Sequence, residues 1–322
     1  MTSLAQVTAL VDAHVKRDQA RFRAVTLQIA ANLAARSERG ADQLRKLVDQ
    51  QVAVSFAPLP SATGLLSGLS ELSTLDDMVL ASRARDRIDR VVLEQTRKND
   101  LLTLGLHPAR KLLFTGAPGV GKTMAAGALA QAVGLPMFRV EMHGVIQSHL
   151  GETAGMGETA GKLAQVFEHV RTMPAVYLFD EFDAIGSDRS SGDGSASCSE
   201  MRRVVNSLLQ FIEDDRSDSM IIAATNHEKM LDSALFRRFD EIITFGLPSR
   251  EELIMLVRRS LSDEVFDFDV IYGVLTRLKL GHADVCAALD RARKDYLLVG
   301  IPIDTVSFIE ALERRIGRGE EP

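Results

Sequence analysis

The stretch Gly116-Ala117-Pro118-Gly119-Val120-Gly121-Lys122-Thr123 decides how this chain is read. It fits G-x-x-x-x-G-K-[ST], a spacing in which glycines let consecutive backbone N–H groups turn inward as a nest for an anion. The apolar run Leu112-Leu113-Phe114 precedes it and a helical pattern over Met124–Val133 follows, so the loop joins a strand to a helix N-terminus. The helix dipole adds positive potential at that end. In such a loop Lys122 reaches the β- and γ-phosphates of a nucleotide, and the Thr123 hydroxyl holds Mg²⁺.

Outward from this loop, the chain alternates short apolar runs with helical segments. Strands are expected at Lys111–Thr115, Met137–Glu141, Ala175–Asp180, Met220–Ala224 and Glu241–Phe245. The segments between them are long enough for crossover helices, which predicts an α/β fold with a doubly wound parallel sheet. Upstream, a helical pattern runs from about Ala81 to Leu104 and stops at Gly105. After Pro248 the strands end; Ser249 with Glu252 forms a capping box, and helical patterns continue to about Ile316 as a small lid.

Three further groups carry chemistry. Val176-Tyr-Leu-Phe-Asp180-Glu181 is a buried strand ending in adjacent carboxylates, where open α/β sheets place their ligand sites. Asp180 would hold Mg²⁺ through its water shell, and Glu181 would polarise the attacking water as general base. Ile221-Ile-Ala-Ala-Thr-Asn226 is a second strand with a polar end; Asn226 either bonds the γ-phosphate or the water, or simply forms a turn. Arg237 and Arg238 stand just before the last strand, as a solvated pair or as arginine fingers offered to a neighbouring subunit's γ-phosphate.

Composition narrows the classes. The 322 residues are 46% hydrophobic and 25% charged, which excludes a disordered, collagen-like or disulfide-framework chain. A net charge of −6, no Trp and 5% aromatics argue against a nucleic-acid-wrapping protein. Residues 1–60 nonetheless carry eight basic and five acidic side chains, leaving −9 on the remainder. That +3 is the only support for a DNA-linked motor. The two cysteines, Cys198 and Cys286, fit a reducing, cytoplasmic setting. Charges from Asp12 to Asp18 interrupt any signal peptide. The uncharged stretch Gln50–Ser70 contains Pro58, Pro60, Gly64 and Gly68, which favour a linker over a membrane span. Helical spacing of Leu4, Val7, Leu10 and Val11, of Phe22, Val25, Ile29 and Leu33, and of Leu44, Leu47 and Val48 predicts a small N-terminal helical module. The expected organisation is a substrate- or partner-binding module at 1–52, a linker at 53–80, the nucleotide-binding domain at 81–247 and the lid at 248–322.

Together these residues resemble the AAA+ ATPases, specifically the AAA clade and its compact single-module bacterial members, over about residues 72–316. The resemblance implies a P-loop NTPase fold: a five-stranded parallel sheet with a C-terminal helical lid. It makes 116–123 the Walker A loop, 176–181 Walker B, Asn226 sensor 1, and Arg237 and Arg238 the fingers. The nucleotide-binding set is then Gly116, Ala117, Pro118, Gly119, Val120, Gly121, Lys122, Thr123, Met124 and Asp180, joined by Gly281 and His282 of the lid motif Gly281-His-Ala-Asp284 near adenine and ribose. Glu181, Asn226, Arg237 and Arg238 form the catalytic set, with Mg²⁺ at Thr123 and Asp180. ATP hydrolysis, ring homo-oligomers of the hexameric kind and action on a protein substrate or effector follow. The partner includes, among its forms, a separately encoded subtilisin-like protease. His227-Glu228 lacks the second His of H-E-x-x-H, unlike the membrane protease branch.

The family's substrate-gripping pore loop carries an aromatic residue, and here the pattern departs. The region Ser148–Gly161 contains Gly-Glu-Thr-Ala-Gly twice, six residues apart, so either His149-Leu150 or Met156 faces the channel. Both registers lack the aromatic that grips a peptide by packing. This leaves open an ATP-gated scaffold or switch that regulates a partner without threading it. Gly186–Ser199 reads as a second loop, followed by Arg202 and Arg203 on a helix, either reporting a neighbour's nucleotide or solvated.

Overall fold

The computed structural model describes residues 64–69, 73–146, 157–182, 196–227, 236–261 and 266–316, together with Thr8, Val25, Thr26 and Ile29. The chain divides into two compact units, Met1–Leu59 and Pro60–Pro322. In the first unit the four described residues are helical, and Thr26 and Ile29 are buried. The rest of the expected 1–52 module, His149, Leu150 and Met156 of the pore-loop region, and residues 183–195 lie outside the described residues.

The second unit carries strands β1 (Leu66–Leu69), β2 (Lys111–Gly116), β3 (Met137–Val140), β4 (Val176–Phe179), β5 (Met220–Thr225) and β6 (Glu241–Phe245). They form one sheet in the order β1-β3-β4-β5-β2-β6. The five strands expected from apolar runs pair in parallel, and their cores need both faces covered. β1 is an addition: it pairs antiparallel with β3 inside the uncharged stretch expected to be linker. Leu65 and Leu66 are buried there, and Glu141 N–H donates to Leu65 O at 2.8 Å. Two small residues, Ser67 and Gly68, mask this strand in the sequence, because they spoil apolar alternation.

Helices α1 (Ser82–Thr96), α2 (Lys98–Thr103), α3 (Lys122–Val133), α4 (Met142–Ile146), α5 (Gly157–Thr172) and α6 (Ala196–Asp214) belong to the sheet layer. The single helix expected over 81–104 is two, with Arg97 between them at φ −98°, ψ 25°. Alternate strand residues serve opposite faces. Leu113, Phe138, Tyr177, Phe179 and Ile221 pack with Val166, Phe167 and Leu208 of α5 and α6. Leu112, Phe114, Met137, Leu178 and Ile222 pack with Ile88, Val91, Ala125 and Leu129 of α1 and α3.

A separate helical layer follows Pro248: α7 (Arg250–Ser260), α8 (Phe268–Leu278), α9 (His282–Val299) and α10 (Thr305–Ile316). Its own core joins Leu253, Val257, Ile271, Leu275, Leu289, Phe308 and Leu312. The capping box expected at its start is present: Glu252 N–H donates to Ser249 Oγ and Ser249 N–H to Glu252 Oε2. None of the described helices is long and apolar enough to cross a membrane.

Candidate functional site

Parallel pairing sets the site. β2, β4 and β5 run side by side, so Gly116, Asp180 and Asn226 emerge at the same end of the sheet. β2 turns into α3 through the loop, with Gly116 at φ 149°, Gly119 at φ 74° and Gly121 at φ 97°. A Cβ on Gly116 would stand 2.3 Å from Phe245 O of the neighbouring strand, so glycine is a packing requirement there. Gly121 is the left-handed N-cap of α3, and Val120 is 2% exposed, anchoring the loop in the core.

Lys122, buried to 7% exposure, donates from Nζ to Gly116 O at 2.7 Å, Ala117 O at 2.8 Å and Asn226 Oδ1 at 2.8 Å. The lysine is thereby stretched along the loop with neutral oxygens about its ammonium, ready to trade them for phosphate oxygens. Thr123 Oγ1 donates to Asp180 Oδ2 at 2.8 Å. Met124, the next residue, is 42% exposed at the helix start.

Asp180 Oδ1 accepts the Glu181 N–H at 3.0 Å, and Glu181 is held at φ 53°. A non-glycine residue there stores strain of roughly 1–3 kcal/mol, which clusters at functional sites. Glu181 is exposed, so water can reach its carboxylate, as a water-polarising base requires. A hydroxyl and a carboxylate oxygen at hydrogen-bond distance, at the mouth of a phosphate loop, are the hard donors that suit Mg²⁺ alongside substrate phosphates.

The lid meets the loop directly. Ala283 N–H donates to Gly119 O at 2.9 Å, and a Cβ on Gly281 would lie 2.9 Å from Gly119 O and 3.1 Å from Pro118 O. At Gly281 the lid backbone packs against the phosphate loop too tightly for a side chain. His282 Nε2 stands 3.3 Å from Glu252 Oε2 without full hydrogen-bond geometry, and its Nδ1 is buried with no partner among the described residues. Burial pushes the Glu252 carboxyl up, but the His282 ring and the Ser249 N–H outweigh it and hold the group below its ordinary value.

A family model described as "ATPase family associated with various cellular activities (AAA)" matches residues 112–247. An uncharacterized AAA family ATPase of Sinorhizobium fredii is 37% identical over 238 residues, 70% of this chain and 69% of the relative. The chain belongs to the AAA family of ATPases. A 26S proteasome regulatory subunit 7 homolog of Schizosaccharomyces pombe is 31% identical over 61% of this chain and 44% of its own length, so the chain spans under half of that relative. The crystal structure of the FIGL-1 AAA domain superposes with a TM-score of 0.57 at 20% identity, over 80% of this chain and 89% of that domain, which shows the shared fold.

Two expected residues of this AAA ATPase stand apart from the site. Leu112 pairs with Glu241 and Gly116 with Phe245, so Arg237 and Arg238, which precede β6, sit at the opposite end of the sheet from the phosphate loop. The four-residue strand length between those pairs is about 13 Å at about 3.3 Å per residue. Arg238 Nε donates to Glu213 Oε2 at 2.9 Å, and Arg237 is exposed. Sequence reasoning missed two members of the site. One is Glu252, legible only as a helix cap. The other is Arg139, whose Nη2 lies 3.2 Å from Asp180 Oδ2; a guanidinium inside the apolar run Met137-Phe138-Arg139-Val140 was the available signal.

Proposed function

We propose that this AAA family ATPase hydrolyses ATP at sites shared between neighbouring copies and uses the cycle to remodel a protein substrate or activate a protein effector. One observation carries the reading. Lys122, Thr123, Asp180, Glu181 and Asn226 gather at one end of the sheet, while Arg237 and Arg238 lie at the other. An arginine that cannot reach its own phosphate loop serves the loop of a neighbour, and such head-to-tail contacts close into a ring, here a homo-hexamer.

The residues divide the work as follows. Backbone N–H groups of Gly119–Lys122 and the α3 N-terminus bind the phosphate chain, and Lys122 holds the β- and γ-phosphates. Thr123 and Asp180 would hold Mg²⁺, which supplies charge neutralisation at the β- and γ-oxygens when bound. Glu181 takes the proton of the attacking water, Asn226 orients that water or the γ-phosphate, and Arg237 and Arg238 from the neighbour stabilise the charge developing in transfer. Gly281 and His282 line the base side of the cleft. The sheet unit up to residue 247, β1 included, acts as the nucleotide-binding domain and 248–322 as the lid, with 1–52 receiving the partner. The −6 net charge and a relative named for the 26S proteasome support a protein rather than a nucleic acid as substrate, with a separately encoded protease among the effectors.

Specific activity measured across a dilution series tests this: it rises with protein concentration as copies assemble. Activity per copy that stays constant through dissociation of the oligomer contradicts it. Glu181→Gln, locked in ATP, retains the protein substrate for identification by pull-down.

A further inference from the structure

Arg139 has no role in the reaction as set out above, yet it touches the centre of it. It is the third residue of β3, between Phe138 and Val140, which are 0% and 2% exposed. The alternation that sends Met137 and Leu178 to the α3 side of the sheet sends Arg139 there too, since Arg139 pairs with Leu178 across β3 and β4. Its Nη2 lies 3.2 Å from Asp180 Oδ2, the same oxygen that accepts Thr123 Oγ1 at 2.8 Å. Its Nε is buried with no hydrogen-bond partner among the described residues. A half-exposed guanidinium on an otherwise apolar strand, with its buried Nε donor unmet, costs folding free energy.

We propose that Arg139 is a positioning residue of the ATP site that sets its Mg²⁺ requirement. The inference rests on the reading of Thr123 and Asp180 as the metal-side pair. Without metal, Arg139 neutralises Asp180, fixes its rotamer through Oδ2, and lends positive potential to the incoming phosphates. With metal, the same charge opposes the cation for that oxygen. A unit charge roughly 6 Å from a divalent ion in a solvent-like medium changes its affinity on the order of tenfold. Arg139 therefore favours metal-free nucleotide capture and raises the Mg²⁺ concentration at which the site becomes competent.

The test uses the full chain and two titrations: a fluorescent ATP analogue binding in EDTA, and the same complex titrated with Mg²⁺. Arg139→Gln binds the analogue several-fold more weakly in EDTA and reaches its Mg²⁺ midpoint at a concentration lower by about tenfold. Arg139→Lys, which keeps the charge, retains the wild-type midpoint. If Arg139→Gln leaves both quantities unchanged while Lys122→Ala abolishes binding, the Arg139 role is overturned and the phosphate-loop reading stands. If Lys122→Ala binds normally, both fall. If Gln and Lys at 139 shift the midpoint equally, geometry rather than charge is at work and the proposal is overturned. Matched thermal unfolding temperatures for the nucleotide-free variants confirm that folding is not the cause.

Discussion

On the proposed reading, Lys122 and Glu181 are where the chain spends local stability on chemistry. An ammonium at 7% exposure costs desolvation, and the structure offsets it with two carbonyls and the Asn226 amide oxygen rather than with a hydrophobic neighbour. Glu181 accepts a left-handed backbone, φ 53°, just before the buried Phe182. On the proposed reading both costs serve groups that meet a ligand. Glu181→Gln removes the base and keeps the shape, so single-turnover hydrolysis should slow by about 10²–10⁴-fold with ATP affinity within a few-fold of wild type. Normal turnover in that variant would remove Glu181 from the reaction. At this scale the sequence was informative: the spacing of Gly116, Gly121, Lys122 and Thr123 specifies a phosphate loop because few other structures need those residues in that order. Arg139 and Glu252 were not legible in function, because their partners, Asp180 and His282, are 41 and 30 residues away in the chain and only the fold brings them near.

Elements impose the next constraint. The lid is joined to the phosphate loop by one backbone hydrogen bond, Ala283 N–H to Gly119 O, and by a glycine contact too close for any side chain. Gly281→Ala forces a Cβ against Gly119 O, an overpacking of about 1–3 kcal/mol. Displacing the lid from the loop should weaken ATP binding, whereas Gly273→Ala on α8, where a Cβ meets nothing within 4 Å, should leave it unchanged. Equal affinities for the two variants, measured by calorimetry, would detach the lid from nucleotide binding. Strand positions were legible because continuous apolar runs bounded by turn residues mark doubly covered parallel strands. β1 was hidden because Ser67 and Gly68 break that pattern and the pairing partner β3 lies about seventy residues on.

A buried polar pair on the other side of the sheet links an element to pH. His169 on α5 is 0% exposed; its Nδ1 lies 2.5 Å from Tyr177 Oη, and that hydroxyl stands 2.9 Å from Met173 O. The ring tautomer sets which of the two donates, and Nε2 is buried without a partner among the described residues. Burial accordingly lowers the His169 pKa, since protonation would place a charged N–H where no acceptor stands. The unfolded chain binds that proton near the ordinary His value of about 6.5 and the folded chain does not, so stability is complete above that pH and falls as the pH drops below it. Thermal unfolding followed at pH 7.5 and 5.5 should show this loss, and His169→Phe should reduce it. An identical pH dependence in the variant would assign the effect elsewhere.

For the molecule as a whole, the sheet itself is the argument. Parallel strands put the phosphate loop at one end and Arg237 with Arg238 at the other, and no side-chain movement spans that strand length within one copy. On the proposed reading assembly is a condition of catalysis, and the Glu213 partner of Arg238 is the kind of exposed ion pair, worth at most about 1 kcal/mol, that an interface can replace. That the arginines precede the last strand was legible; that they face away from their own site was not, because it depends on β2 and β6 being parallel neighbours. The central claim is that each ATP is hydrolysed with arginines from the adjacent copy. Mixing two inactive proteins tests it most directly: Arg237→Ala/Arg238→Ala, with an intact loop, and Lys122→Ala, with intact arginines. Finger loss alone should cost about 10³–10⁵-fold in turnover. The account predicts that the mixture regains ATP hydrolysis well above the sum of its parts, because mixed rings pair intact loops with intact arginines. A mixture no more active than its two components, in rings shown to exchange copies, would contradict it.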